Sequence, residues 1–170
     1  MEKSLALQLI EKSLETKNPY LDLGRCGLDG TEHELELLGE CDHLETLVFS
    51  NVWGEYDEKG GWGTSKSTNA GSKNMLTQLP LQLPTRLKKL VCQGFYPRWK
   101  IQDLTPIEKL NQLTTLNCSD NQINDLTPIE KLQQLTQLYC SDNQINDLKP
   151  IEKLQQLTQL YCSTNQINDL

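Results

Sequence analysis

Three groups of residues in this 170-residue chain carry side chains able to do chemistry. Cys118, Cys140 and Cys162 recur at one spacing, and thiols stacked on strands about 4.8 Å apart are a donor set for a soft metal. The same cysteines occupy an apolar column, where a free thiol behaves as a small buried hydrophobe, and core packing is the reading they favour. Cys41-Asp42-His43 offers ligand types without a second pair, so it reads as a surface turn rather than a metal centre. His33 stands among glutamates and reads as exposed. GGWGTSKS, Gly60 to Ser67, approximates a phosphate-cradling loop, but that loop needs GxxxxGK[ST] between a strand and a helix. Ser65 stands where the second glycine belongs, and no helical pattern follows. No serine, cysteine or carboxylate comes with a base and an oxyanion partner. The expectation is a non-enzyme with no catalytic residue, metal or cofactor.

The remaining chemistry is that of recognition. Trp53, Tyr56 and Trp62 fall in the glycine-dotted stretch NVWGEYDEKGGWGTSKSTNAGSK, while Phe95, Tyr96, Arg98 and Trp99 fall in GFYPRWK. Tyr139 and Tyr161 occupy equivalent places in two copies of LTQLYCS. Aromatic side chains and arginine are the types most enriched at binding hot spots. These nine are the candidate partner-binding residues.

What must position them is a repeat. With Leu113, Leu135 and Leu157 in register the period is 22 residues, and Leu116/Leu138/Leu160, Cys118/Cys140/Cys162, Asn121/Asn143/Asn165 and Ile123/Ile145/Ile167 then align. Self-similarity at such a period marks a solenoid, whose units bury their apolar edges only against their neighbours. The alternation Gln137-Leu138-Tyr139-Cys140-Ser141 sends Leu138 and Cys140 inward and Gln137, Tyr139 and Ser141 outward. At the following turn, Asn143 is placed to satisfy backbone groups that the turn leaves unpaired. Thr105-Pro106-Ile107-Glu108 and Thr127-Pro128-Ile129-Glu130 read as helix starts with a threonine cap, and Lys149-Pro150-Ile151-Glu152 as a looser copy without one.

The unit LxxLxCxxNxI resembles the leucine-rich repeat family, most closely its 22-residue internalin-like variety. The resemblance implies an α/β solenoid, with a parallel sheet on the concave face and short helical or extended segments on the convex face. Degenerate rungs open at Leu44/Leu47/Phe49 and Leu87/Leu90/Cys92, and Tyr20 to Leu28 reads as the first, making about six. LTQLPLQLPTRLKKL resembles the LPxxLPxxL variety, whose prolines favour an extended convex segment. Leu5, Leu7, Leu9, Ile10 and Leu14 suggest an amphipathic helix over the first rung. The organisation expected is a helical cap over 1–18 and a solenoid over 19–170, with insertions at 51–74 and 94–100. The last copy ends at NQINDL, which would leave an open apolar edge.

The irregular stretches are insertions into this pattern. Cys140 and Ile145 are five apart, whereas Phe49 and Leu76 are 27 apart, so the second rung carries 22 extra residues just after its strand. Cys92 to Ile101 is nine, an insertion of four at the same point of the next rung. Both should therefore emerge side by side and form an aromatic rim. The alternatives are an aromatic lid over the widened gap or a disordered loop.

Charge adds a second function class. Residues 61–100 carry seven basic side chains and no acid within a chain of net charge -7, which means either an anionic partner or internal pairing. No apolar run approaches the roughly 20 residues that cross a bilayer, and the first residues lack a signal peptide's apolar centre. Without a leader the six cysteines read as free thiols, and the chain as soluble and cytoplasmic, while the internalin-like resemblance implies a bacterial protein. The leading expectation is a recognition module that binds a protein through its concave face and aromatic, basic rim. Residues 19–104 are also similar to the repeat region of bacterial Roco-type proteins, which would make the chain the sensor half of such an architecture; the sequence contains no GTPase segment. Nucleic-acid or polyanion binding through 61–100 is the first alternative. Scaffolding by self-association through the open carboxyl edge is the second.

Overall fold

The computed structural model describes residues 2–57, 59–95 and 100–168. Its strands are β1 Tyr20–Asp22, β2 Thr46–Val48, β3 Val52–Tyr56, β4 Trp62–Lys66, β5 Lys89–Val91, β6 Thr115–Asn117, β7 Gln137–Tyr139 and β8 Gln159–Tyr161. Those that recur once per rung form a parallel sheet in the order β1-β2-β5-β6-β7-β8. The register is that of the repeat, with Leu116 opposite Leu138 and Leu138 opposite Leu160. The six expected rungs are therefore six strands, and the architecture is a leucine-rich repeat solenoid.

Leu21, Leu47, Leu90, Leu116 and Leu138 point into a single core that runs the length of the stack, joined by Phe49, Cys92, Cys118 and Cys140 from the next inward position. A lone rung of three strand residues has too little apolar surface to fold, so each depends on its neighbours.

At the turn, one asparagine per rung replaces the hydrogen bonds that the ending strand no longer supplies. Asn143 Nδ2 donates to the Cys118, Cys140 and Ser141 carbonyls, each at 3.1 Å, and its Oδ1 accepts from Ile123 N at 2.9 Å. Asn121 and Asn165 repeat this one rung to either side. The residue before each, Asp120, Asp142 and Thr164, sits in the left-handed region at φ 58, 55 and 53°.

The convex side corrects one expectation. No threonine side chain caps the short 3-10 turns at Thr105–Ile107 and Thr127–Ile129. The aspartate two residues earlier takes that role: Asp103, Asp125 and Asp147 accept from the backbone N of Thr105, Thr127 and Lys149 at 2.7 to 2.8 Å. All three copies keep this aspartate, and the third turn, Lys149–Lys153, is the longest of the three but buries none of its residues. The LPLQLP segment forms no helix, as its prolines require.

Helix α1, Leu5–Thr16, starts at Ser4, whose side chain accepts from Leu7 N, and ends at Lys17 in the left-handed conformation. It buries Ala6, Ile10 and Ser13 against the first rungs. Cys41 is buried rather than part of a surface turn, and His43 Nε2 lies 2.9 Å from Ser13 Oγ, under the helix. His33 is exposed beside Glu36. No helix among the described residues is long and apolar enough to cross a membrane.

The first insertion is neither irregular nor a simple rim. Strands β3 and β4 pair as an antiparallel hairpin with Tyr56 opposite Trp62. Its turn closes through Asp57 N to Gly61 O at 2.9 Å and Gly60 N to Asp57 O at 3.0 Å, with Gly60 at φ 78°. GGWGTSKS is thus a turn and a strand, without the helix that a phosphate cradle needs.

A candidate partner-binding groove

Outward-facing strand residues of a solenoid are ordinarily open to solvent, but here Val48, Val91, Asn117 and Tyr139 are almost completely buried. The hairpin covers them. Trp53 packs on Val48 and Val91 in a small apolar cluster separate from the main core. Gly54 N donates to Gln93 Oε1 at 2.8 Å, and Gly54 O accepts from Asn117 Nδ2 at 2.9 Å. Glu55 pairs with Lys89. Tyr56 N donates to the Tyr139 hydroxyl at 3.2 Å. Residue by residue, β3 therefore runs across the sheet from β2 toward β8.

At the far end the aromatic residues converge. The Tyr161 ring stacks on Tyr139 at 4.7 Å and on Tyr56 at 4.6 Å, with interplanar angles of 12 and 14°. Trp62 meets Tyr56 edge to face at 4.8 Å. Offset and T-shaped pairs of this kind contribute about 0.5–1.5 kcal/mol beyond their area. Trp62 lies so close over Gly54 that any Cβ there would overlap the indole, which is why this strand position is a glycine.

Beside the stack opens a groove of about 730 Å³, lined by Tyr56, Trp62 and Tyr161 and by the turn residues Asp120 and Asp142. Ser119, Ser141 and Ser163 also line it. Trp62 remains 56% exposed at its mouth. Burial, with the charge of Asp142 adding to it, raises the Asp120 carboxyl above its ordinary value, against the lowering pull of the Gln93 amide that donates to it at 2.9 Å.

The nine candidate residues therefore separate. Tyr56, Trp62, Tyr139 and Tyr161 come together, although Tyr139 is 2% exposed and serves the hairpin through its hydroxyl. Trp53 is 6% exposed and holds the hairpin to the sheet instead of facing solvent. Phe95 is exposed away from the groove lining, with Lys73 Nζ 5.1 Å above its ring, so the two insertions do touch at that point. Tyr96, Arg98 and Trp99 lie outside the described residues.

Sequence reasoning missed Asn51 and Asn74, which carry the turn ladder through the interrupted rung. Asn74 Nδ2 donates to the Leu23 and Phe49 carbonyls at 2.8 Å, and its Oδ1 accepts from Cys26 N and Leu28 N. Asn51 Oδ1 accepts from Arg25 N and Asn74 N. The signal was present, since Asn74 stands two residues before Leu76 as Asn143 stands two before Ile145. Asp120 and Asp142 were legible from the repeat as rim positions beside the outward tyrosines.

The basic block is partly neutralised inside the chain, Lys88 by Glu45 at 2.9 Å and Lys89 by Glu55. The thiols of the inward column are chemically quiet. Burial pushes Cys92 up to about 12 and holds Cys118 and Cys140 well above the ordinary thiol value. Among the described residues no group of three or more histidine, cysteine or carboxylate side chains is placed to hold a metal ion.

A family model described as leucine-rich repeats, two copies, matches residues 133–170. No curated protein matches the chain. Among solved structures the chain is similar to an internalin (inlF) from Listeria monocytogenes, at 25% identity and a TM-score of 0.60, over 79% of this chain and 32% of that one. It is similar in fold to YopM from Yersinia enterocolitica, with 23% identity, a TM-score of 0.62, and coverage of 99% of this chain and 30% of that one. Internalin C2 from Listeria monocytogenes aligns over 97% of this chain and 85% of its own, at 21% identity and a TM-score of 0.53. The chain thus spans about a third of the length of two of these proteins.

Proposed function

We propose that this chain is a non-enzymatic recognition module that binds a protein partner at the groove between the hairpin and the last rungs. Leucine-rich repeats commonly mediate protein–protein contact, and that general role is supported by the repeats and the solenoid fold. The observation that carries the finer reading is the half-exposed Trp62 that lines the groove while packing edge to face on Tyr56 and over Gly54. A large aromatic ring fixed before binding loses little conformational entropy on contact, which is the usual make-up of a hot spot.

The hairpin narrows the original expectation from the whole concave face to its last rungs, because it already occupies the sheet over β2, β5, β6 and β7. A polyanion is disfavoured at this place by the two aspartates and by the internal pairing of Lys88 and Lys89. The proposal includes a reducing, cytoplasmic setting, supported by six unpaired thiols. It also includes a place as the sensor part of a larger Roco-type protein, supported by the sequence resemblance of residues 19–104.

The test is affinity capture from a lysate with the wild-type chain and a Trp62→Ala variant of unchanged circular dichroism. A partner held through the groove is recovered by the first and lost by the second, since truncating a hot-spot aromatic costs about 2 kcal/mol or more. Identical recoveries would reject the groove as the contact.

A further inference from the structure

The groove has a chemistry that selects its occupant, and we infer that it takes a cationic side chain, arginine or lysine, from a basic segment of the partner. This rests on the groove being the contact surface, as proposed above. Three observations converge. Asp120 and Asp142 stand on adjacent turns of the ladder, both at the left-handed position that fixes where their side chains leave the backbone. Among the described residues the groove is lined by no lysine, arginine or histidine, and the Asp142 carboxylate has no hydrogen bond or ion pair. The rings of Tyr56, Trp62 and Tyr161 line the same groove, and of these Trp62 is 56% exposed.

A cation in this space would meet the two carboxylates and the exposed Trp62 indole. Both attract positive charge, the first by direct Coulomb interaction and the second through the ring quadrupole. The raised Asp120 carboxyl agrees with this: burial comes first among its causes and the charge of Asp142 adds to it, and an incoming cation relieves that repulsion. A neutral sugar could also lie on aromatic rings beside carboxylates and serines, but it would leave the paired negative charge uncompensated. An acidic segment is repelled.

The inference is tested with fluorescein-labelled peptides Gly-Ser-Xaa-Gly-Xaa-Ser-Gly, where Xaa is arginine, glutamine or glutamate, titrated with the full chain and followed by polarisation; maltohexaose is added as a competitor. The arginine peptide is expected to bind at least about tenfold more tightly than the glutamine peptide, a difference of about 1.4 kcal/mol. The Asp120→Asn, Asp142→Asn double variant, which keeps residues that tolerate the left-handed conformation, is expected to lose about that tenfold. A Glu108→Gln, Glu152→Gln variant, matched in charge but altered on the convex side, should bind as the wild type does. Equal affinity for the three peptides, no binding of the arginine peptide at millimolar concentration, equal loss in the convex variant, or displacement by maltohexaose would each overturn the inference. Capture of a partner that depends on Trp62 would survive any of these results, so the two failures are distinguishable.

Discussion

The strict rungs, β6 to β8, and the interrupted rung of β2 meet the same structural demand with different residues. In a strict rung one asparagine three residues beyond the inward cysteine satisfies the turn. In the rung of β2 the task is divided between Asn51 and Asn74, and the hairpin leaves the ladder beside the first and returns at the second. The lesson is that an insertion of this length is tolerated because it begins and ends at the ladder, where the backbone hydrogen bonds on both sides can be kept. Loop closure itself grows only slowly with length, about 0.6 kcal/mol per doubling. The strict rungs supply the stack; the interrupted one supplies the shape of the recognition surface.

Breaking a strict rung should have the largest effect. Leu138→Ala removes a fully buried side chain from the middle of the column and is expected to cost about 2–5 kcal/mol in urea denaturation. Asn143→Ala leaves three carbonyls and one amide with a lost partner, and a cost of about 2–3 kcal/mol is expected by the same measurement.

The thiol column sharpens the comparison through pH. Cys92 is raised by burial to about 12 in the folded chain, against about 8.5 for an unfolded thiol. The folded state thus keeps a proton that the unfolded chain releases. The contribution is complete below about pH 8.5 and is lost as pH rises toward about 12, at about 1.4 kcal/mol per pH unit for each such thiol. Urea midpoints should fall above about pH 9, less steeply in Cys92→Ala.

The smallest global effect should come from the hairpin. Trp53→Ala empties a satellite cluster whose indole Nε1 has no hydrogen-bond partner, so part of its burial is already offset. The expected shift in solenoid stability is below about 1 kcal/mol, while amide exchange of Gly54 and Tyr56 quickens by about tenfold or more as the hairpin opens locally.

These contrasts follow the line between what was readable in the sequence and what was not. The repeat, its register and the direction of Leu138, Cys140 and Tyr139 were legible because a 22-residue period leaves each position one structural role. The hairpin was written in VWGEY and WGTSK around the glycine turn, but its two strands are short and the second is mostly polar, so an isolated pair of this kind gives a weak signal. Its docking depends on contacts such as Tyr56 with Tyr161, far apart in the chain, which no local pattern encodes. For the same reason Trp53 reads in sequence as an exposed anchor and stands in the structure as a buried one.

The central claim is that β3 lies across the sheet and ends on the tyrosine stack. Proton NMR tests it most directly, through nuclear Overhauser contacts between the rings of Tyr56 and Tyr161. The account predicts cross-peaks between these rings, together with slow exchange of the Gly54 amide. Absence of the cross-peaks, with hairpin amides exchanging at the rate of a free peptide, would contradict it.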